Sequence, residues 1–158
     1  MKDVTGVVRE ASHSDILQLV ALINRAFAVE RFFKSGDRTD PEQVRQMMED
    51  GKFLLLMEED EMVACLLVKV TGDRGYVGTL SVDPARQKSG IGRRMMREAE
   101  EHCRDAGCKA LDICIVNVRT ELPSIYRNFG FVETGTQSAE VITSATQPVH
   151  FITMSKAL

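Results

Sequence analysis

The sequence predicts an α+β fold, a mixed central β-sheet flanked by helices. Two helix-period segments come first and three strand-like runs follow, an order unlike a repeating βαβ pattern. The runs between residues 53 and 82 are nearly continuous in apolar residues, as strands covered on both faces are. The helices are also well punctuated: Asp40-Pro41 opens one, Gly51 closes it, and Gly107 closes another.

Residues 5–9 read as a short strand. In "SHSDILQLVALINRAF", Ile16, Leu19, Val20, Ile23 and Phe27 recur at helical spacing, with Ser12 or Ser14 as N-cap. "FFKSGDRT", Phe32 to Thr39, breaks the pattern and reads as a loop. "DPEQVRQMMEDG" is a short helix with Asp40 as N-cap, Pro41 at the first position and Gly51 just past the end. "KFLLLME" and "MVACLLVKV" flank the acidic turn "EDE", and "TGDRG" turns into "YVGTLSV". The next helix carries Ile91, Met95, Ala99 and Cys103 on one stripe, with Arg94–Glu98, Arg97–Glu101 and Glu100–Arg104 pairs on the outer face. "KALDICIVNV" is a strand. "TELPSIYRNFG" is a short helix with Thr120 as cap and Pro123 in its first turn. "FVETGTQ" and "PVHFITMSKAL" complete the order β-α-α-β-β-β-α-β-α-β-β.

One domain over residues 1–158 is expected, since a chain of 158 residues buries roughly 70% of its unfolded surface. A net charge of −3 argues against nucleic acid or an anionic membrane as partner. The longest apolar run, Met62 to Val68, is far short of a membrane span, and "MKDVTGVVRE" has no apolar signal core. Cys65, Cys103, Cys108 and Cys114 make no CxxC pair and no histidine pair stands at zinc spacing. They read as small buried residues in a reducing cytoplasm, with no metal expected.

The stretch "SVDPARQKSGIGRRMMREAEE" asks for a ligand. It lacks the Walker A order, because Lys88 and Ser89 precede the glycines. It lacks a Rossmann fingerprint, because Met95 fills the third glycine site. The first N–H groups of a helix have no partner within it, and the helix dipole adds positive charge there. Glycines let a ligand approach the backbone. Arg86, Lys88, Arg93, Arg94 and Arg97 share a twelve-residue window without an acid. A diphosphate suits this turn; a turn into a solvated basic helix is the alternative.

Gln87-Lys88-Ser89-Gly90-Ile91-Gly92 has the Gln/Arg-x-x-Gly-x-Gly/Ala form and resembles the acyl-CoA pyrophosphate loop of the GNAT superfamily of N-acyltransferases. "VGTLSVDP" is similar to that family's central strand, and "SIYRNFGF" to its Leu-Tyr-x-x-x-Gly-Phe signature. Tyr126 follows the loop by about 35 residues, and the element order matches from end to end. The resemblance implies acetyl-CoA as cosubstrate, with coenzyme A released. It implies that backbone groups of Leu80 and Val82 pair with the pantetheine arm like an added strand, and that residues Gln87, Lys88, Ser89, Gly90, Ile91, Gly92 and Arg93 cradle the pyrophosphate. It implies that Tyr126 serves the departing thiolate, and that an N–H near Leu80 polarises the carbonyl. Two positions depart from the family: Lys88 stands where glycine is common, and Arg119 where asparagine is frequent, with Asn117 two residues earlier.

Acetyl transfer to an amine also needs a route for the amine's proton. Many relatives use a central-strand carboxylate. "YVGTLSV" has none, although Thr79 and Ser81 could hold a water. Glu30 is a candidate as base or ammonium-binding group, or is a surface glutamate; Asp112 is a second candidate. His13, His102 and His150 are assigned no role. Residues 29–40 are expected to shape the acceptor site, with Phe32 and Phe33 lining an apolar pocket or capping the core. The implied activity is N-acetyl transfer to a primary amine of a small molecule or peptide. The alternative is a non-catalytic acyl-CoA-binding sensor or interaction domain on the same fold, and a homodimer is compatible with either.

Overall fold

Leu54, Leu56, Ala64, Leu66 and Val68 bury their side chains on one face of a sheet, and Phe53, Leu55, Cys65 and Leu67 bury theirs on the other. This alternation within two apolar runs fixes strand register, since a slip of one residue would exchange the faces. The computed structural model describes residues 4–158. The strands are β1 (Val7–Glu10), β2 (Lys52–Glu58), β3 (Glu61–Thr71), β4 (Arg74–Val82), β5 (Ala110–Val116), β6 (Val132–Ser138) and β7 (His150–Ala157). The helices are α1 (Ile16–Ala26), α2 (Pro41–Asp50), α3 (Ile91–Asp105) and α4 (Leu122–Asn128). Their sequence along the chain is the one expected.

The sheet runs β1-β2-β3-β4-β5-β7-β6. Every pairing is antiparallel except β4 with β5, which is parallel. α3 covers one face. Its stripe of Ile91, Met95, Ala99 and Cys103 is fully buried among Leu111, Ile113 and the β3 side chains. α1 and α2 cover the other face over β2 and β3 through Leu19, Leu22, Ile23 and Val44. α3 ends on left-handed Gly107 (φ +86°). The Cys108 N–H returns to Cys103 O at 2.9 Å and the Gly107 N–H to Arg104 O at 3.0 Å, closing the last turn.

Several local expectations need correction. Ser12 does not lead directly into α1. Residues His13–Asp15 form a 3₁₀ turn first, and the Asp15 carboxylate accepts the Ser12 N–H at 2.8 Å. Arg9 grips the same carboxylate with two bonds of 2.8 Å, and its guanidinium holds the Asp15 pKa down to about 2. 3₁₀ turns run through Phe27–Phe32 after α1, and the expected loop follows them, with only its first residue, Phe32, inside the turns. Asn24 draws this segment's end back to α1, accepting the Thr39 N–H at 2.9 Å and donating to Thr39 O at 3.1 Å. Asp40 caps α2 as expected, accepting the Gln43 N–H at 2.9 Å. Gly51 closes α2 with extended backbone rather than a left-handed turn. A side chain there would strike Val68 O at 2.7 Å, so close approach to β3 is what requires glycine. Thr120 is not the α4 cap. Glu121 holds that place with helical backbone, because tight turns from Val116 to Arg119 and from Arg119 to Leu122 leave no extended residue for a side chain to cap.

Candidate active site

The parallel ladder between β4 and β5 covers Arg74↔Ala110, Gly75↔Leu111 and Tyr76↔Asp112, then stops. β4 continues to Val82 and β5 to Val116, so the two strands part and leave an open gap in the middle of the sheet. Leu80 and Val82 lie on the parted stretch of β4. On its other side β4 stays paired with β3, but with a bulge. Cys65 faces Ser81 and Leu67 faces Gly78, so Thr79 and Leu80 together oppose Leu66. Thr79 sits at φ +55°, a conformation that a β-branched residue rarely adopts. Ser81 is buried and donates to Thr79 O at 3.0 Å, which steadies the kink. The bulge re-aims the backbone at Leu80 at the point where the strands separate.

The basic turn lies at the mouth of this gap. Gly90 precedes α3 in the left-handed region (φ +86°), and Lys88 does likewise at φ +63°. The position where glycine is common in the family therefore keeps glycine-like backbone even when it is lysine. Among the described residues, the N–H groups of Gly90, Ile91, Gly92 and Arg93 find no acceptor. A Cβ at Gly92 would meet nothing within 4 Å, so the backbone there is bare and accessible. These features fit a diphosphate: donors, positive dipole end and room for close approach coincide. The cations divide. Arg86 is engaged by Glu58 through bonds of 2.6 and 2.5 Å, and Arg94 donates to Val4 O at 2.9 Å. Arg93 lies over the Phe129 ring at 5.1 Å. Gln87 reaches back to Val82 O at 3.4 Å, and the Ser89 hydroxyl bonds Arg86 O, so both side chains brace the turn.

Tyr126, on α4, is wedged edge-on between Phe129 and Phe131, each with ring centroids 5.9 Å away. This fixes the ring, while the hydroxyl has no hydrogen-bond partner among the described residues. Burial raises its pKa to about 12, against a downward pull from Arg119. A second tyrosine, which no sequence pattern singled out, lies on β4. Tyr76 lies along β4 over Gly78, whose hydrogen side chain makes the room, and its hydroxyl contacts Cys114 Sγ on β5 at 3.3 Å. Burial also pushes the Tyr76 hydroxyl pKa up, and the charge of Arg38 pulls it down. Cys114 is thus the one cysteine that is only half-buried; Cys65, Cys103 and Cys108 are buried as expected. Tyr76 and Cys114 left no local signal, because a strand tyrosine over a glycine and a cysteine on the facing strand are related only by register.

Both candidate bases are occupied. Glu30 is buried. Its Oε2 receives Arg119 at 3.3 Å and its Oε1 lies 3.8 Å from Lys34 Nζ. Asp112 is gripped by Arg74 through bonds of 2.8 and 2.6 Å and accepts the Ser155 hydroxyl, and these hydrogen bonds lower its pKa. Asp112 lies in the last pair of the β4–β5 ladder, opposite Tyr76, where the strands begin to part. Arg119, at the family's asparagine position, spends its guanidinium on Glu30 and on Glu121 at 2.8 Å. Asn117 accepts the His150 N–H at 2.8 Å and pins the start of β7. Phe33 is buried and Phe32 exposed, edge-on to each other at 5.0 Å. Among the described residues no group of three metal-ligating side chains occurs, and no helix is long and apolar enough to cross a membrane.

Comparison with known proteins agrees with this geometry. Two curated rice (Oryza sativa subsp. japonica) proteins match by sequence: glucosamine 6-phosphate N-acetyltransferase 1, 36% identical over 70 residues, and a probable glucosamine 6-phosphate N-acetyltransferase 2, 37% identical over 68. The matches take in 44% and 43% of this chain, and the chain spans about two fifths of these relatives' length, 41% and 39%. By structure the chain resembles the ribosomal-protein-S18-alanine N-acetyltransferase of Escherichia coli (TM-score 0.79, 16% identity, 97% of this chain and 94% of that one). It also resembles a ribosomal-protein-alanine N-acetyltransferase of Brucella melitensis (TM-score 0.76, 22% identity, 96% and 99%). At these identities the structural likeness establishes the fold. The model of the acetyltransferase (GNAT) domain matches residues 23–156, from α1 through β7. With the parted central strands, the bulge and the glycine turn all inside that span, this chain belongs to the GNAT acetyltransferase family.

Proposed function

We propose that the protein transfers an acetyl group from acetyl-CoA directly to a primary amine of a small molecule or peptide. The observation that carries this reading is the parting of β4 and β5 beyond Tyr76↔Asp112, with the open backbone turn Lys88–Arg93 at its mouth. Acetyl-CoA, the cosubstrate of the family, supplies an activated thioester when bound. Lys88 to Arg93 hold its diphosphate by backbone N–H groups, and the free edge of β4 at Leu80 and Val82 aligns the pantetheine arm as a strand would. The backbone at Leu80, turned by the bulge, presents its N–H to the thioester carbonyl.

Tyr126 completes the arrangement by donating a hydrogen bond to the departing sulfur. Its pKa of about 12 makes outright proton transfer to a thiolate (pKa about 8.5) uphill by about 5 kcal/mol. A hydrogen bond that strengthens as charge develops avoids that cost. Glu30 works as a positioning carboxylate that holds Lys34 and Arg119 beside the gap. With Glu30 and Asp112 both engaged by cations, the amine arrives already neutral or loses its proton to water. That pairing also favours the second reading, an acyl-CoA sensor without turnover. The cysteines, all free thiols, suit a reducing cytoplasm.

Calorimetry with coenzyme A, followed by thiol release from acetyl-CoA across a panel of amines, tests the proposal. Micromolar coenzyme A binding with amine-dependent thiol release is the expected result. Binding without release by any amine would favour the sensor, and absence of binding would remove both readings.

A further inference from the structure

If that acetyl-transfer reading holds, the acceptor side of the gap also specifies what the amine carries. Residues 27–39 form a strap from the end of α1. Glu30 ties it to Arg119, just past β5. Beyond that it is stitched to the β6–β7 connection: the Ser35 N–H donates to Ser144 O at 3.0 Å, the Thr146 N–H donates to Phe33 O at 2.7 Å, and Lys34 and Ala145 pair as an antiparallel bridge. Asn24 and Thr39 fasten the near end. A polypeptide cannot thread between strap and connection without breaking these backbone bonds, which favours a small acceptor.

The strap brings more positive than negative charge to this space. Lys34 is 6% exposed, yet among the described residues its ammonium makes no hydrogen bond. Its one counter-charge, Glu30 at 3.8 Å, is shared with Arg119. The Lys34 side chain is largely packed away, but its ammonium is not sealed from solvent and keeps donors free for a ligand's oxygens. Arg38 has no acidic partner among the described residues. Its guanidinium lies 4.9 Å from the centre of the Phe27 ring, and its charge reaches both Lys34 and the Tyr76 hydroxyl. The remaining acids are committed, Asp37 to Arg31 at 3.4 Å and Glu121 to Arg119 at 2.8 Å. We infer that the acceptor is a small amine bearing an anionic group, phosphate or carboxylate, and that Lys34 and Arg38 bind that group opposite the amine.

The test uses matched acceptors: 2-aminoethyl phosphate and β-alanine against ethanolamine, and glucosamine 6-phosphate against glucosamine. In the wild type the anionic members should lead by about tenfold or more in kcat/KM, mainly through KM. Arg38→Gln, at an exposed site that tolerates change, and Lys34→Gln should each collapse that ratio toward one, and Arg38→Glu should invert it. Coenzyme A affinity checks that each variant is folded. Calorimetric titration of 2-aminoethyl phosphate and inorganic phosphate into the coenzyme A complex reads the subsite without turnover; both should bind the wild type and bind Arg38→Gln about tenfold more weakly. Phosphate binding without thiol release would sink the transfer reading while leaving the anion subsite standing. No anionic preference, equal loss for both members of a pair, or faster acetylation of a neutral peptide N-terminus would overturn the inference.

Discussion

The two ends of the gap are built in opposite ways. In the proposed reading the cofactor end is one continuous segment, residues 87–93, whose main chain would bind the diphosphate. Side chains there brace the turn or lie to one side, and what matters is that Lys88 and Gly90 take left-handed backbone and that Gly92 stays bare. The proposed acceptor end gathers side chains from four places: Lys34 and Arg38 on the strap, Tyr76 on β4, Cys114 on β5, and Arg119 with Tyr126 after it. A backbone site tolerates changes of side chain but not added bulk. A side-chain site tolerates little change of identity, because each group is held by another.

Glu30→Gln should sharpen that contrast most. It removes the counter-charge of Arg119 and of buried Lys34, which should cost about 3 kcal/mol of stability in denaturant unfolding, the low end for a broken buried pair because Arg119 keeps some solvent. Any accompanying loss of kcat/KM should be the same at low and high pH, as befits a positioning group. A loss that shrinks as pH rises toward the amine's own pKa would make Glu30 the base. Tyr126→Phe comes next. Its ring stays wedged between two phenylalanines, so the fold should stand while kcat falls about ten- to a hundredfold, with acetyl-CoA affinity nearly unchanged. Undiminished turnover in a chemistry-limited assay would reduce the tyrosine to packing.

At the cofactor end, Gly92→Val should weaken coenzyme A binding by about tenfold while leaving the melting temperature level or slightly higher. The new side chain meets no protein atom, and valine is no worse than glycine in a helix. Equal affinity by calorimetry would detach the turn from the diphosphate. Lys88→Gly should have the smallest effect. It relieves about 1 kcal/mol of left-handed strain but adds unfolded-chain freedom of similar size, so stability should hardly move. Coenzyme A affinity within about threefold of wild type would confirm a backbone role. A larger loss would show that the lysine charge itself contacts the ligand.

Much of this architecture could be read before any coordinates, for a physical reason. Helix and strand order is written in local periodicity, and the stripe Ile91, Met95, Ala99 and Cys103 is buried as its spacing foretells. The glycine turn was legible because its parts are consecutive. Thr79 was legible only as a strand threonine. Its bulge depends on the register against Leu66 of β3, which no window of β4 contains. Tyr76 and Cys114 escaped for the same reason. Glu30 was visible as a carboxylate, but its engagement by Arg119, 89 residues away, was not. Thr120 was misplaced as a cap because the preceding turns, set by Val116 and Arg119, decide how the chain enters α4.

The brief parallel ladder between β4 and β5 has a mechanical meaning. On one side lie β1 to β4, on the other β5 to β7, and along the sheet itself the two groups are joined only over residues 74–76 and 110–112. Beyond them the two groups are linked across the gap by α3, which packs on both, and by a tyrosine–cysteine contact. A ligand strand laid into the seam would therefore act as mortar. Deuterium exchange at the inner-edge amides of β4 and β5 would slow together when the ligand enters, and the two groups of strands would unfold as one block over a wider range of temperature.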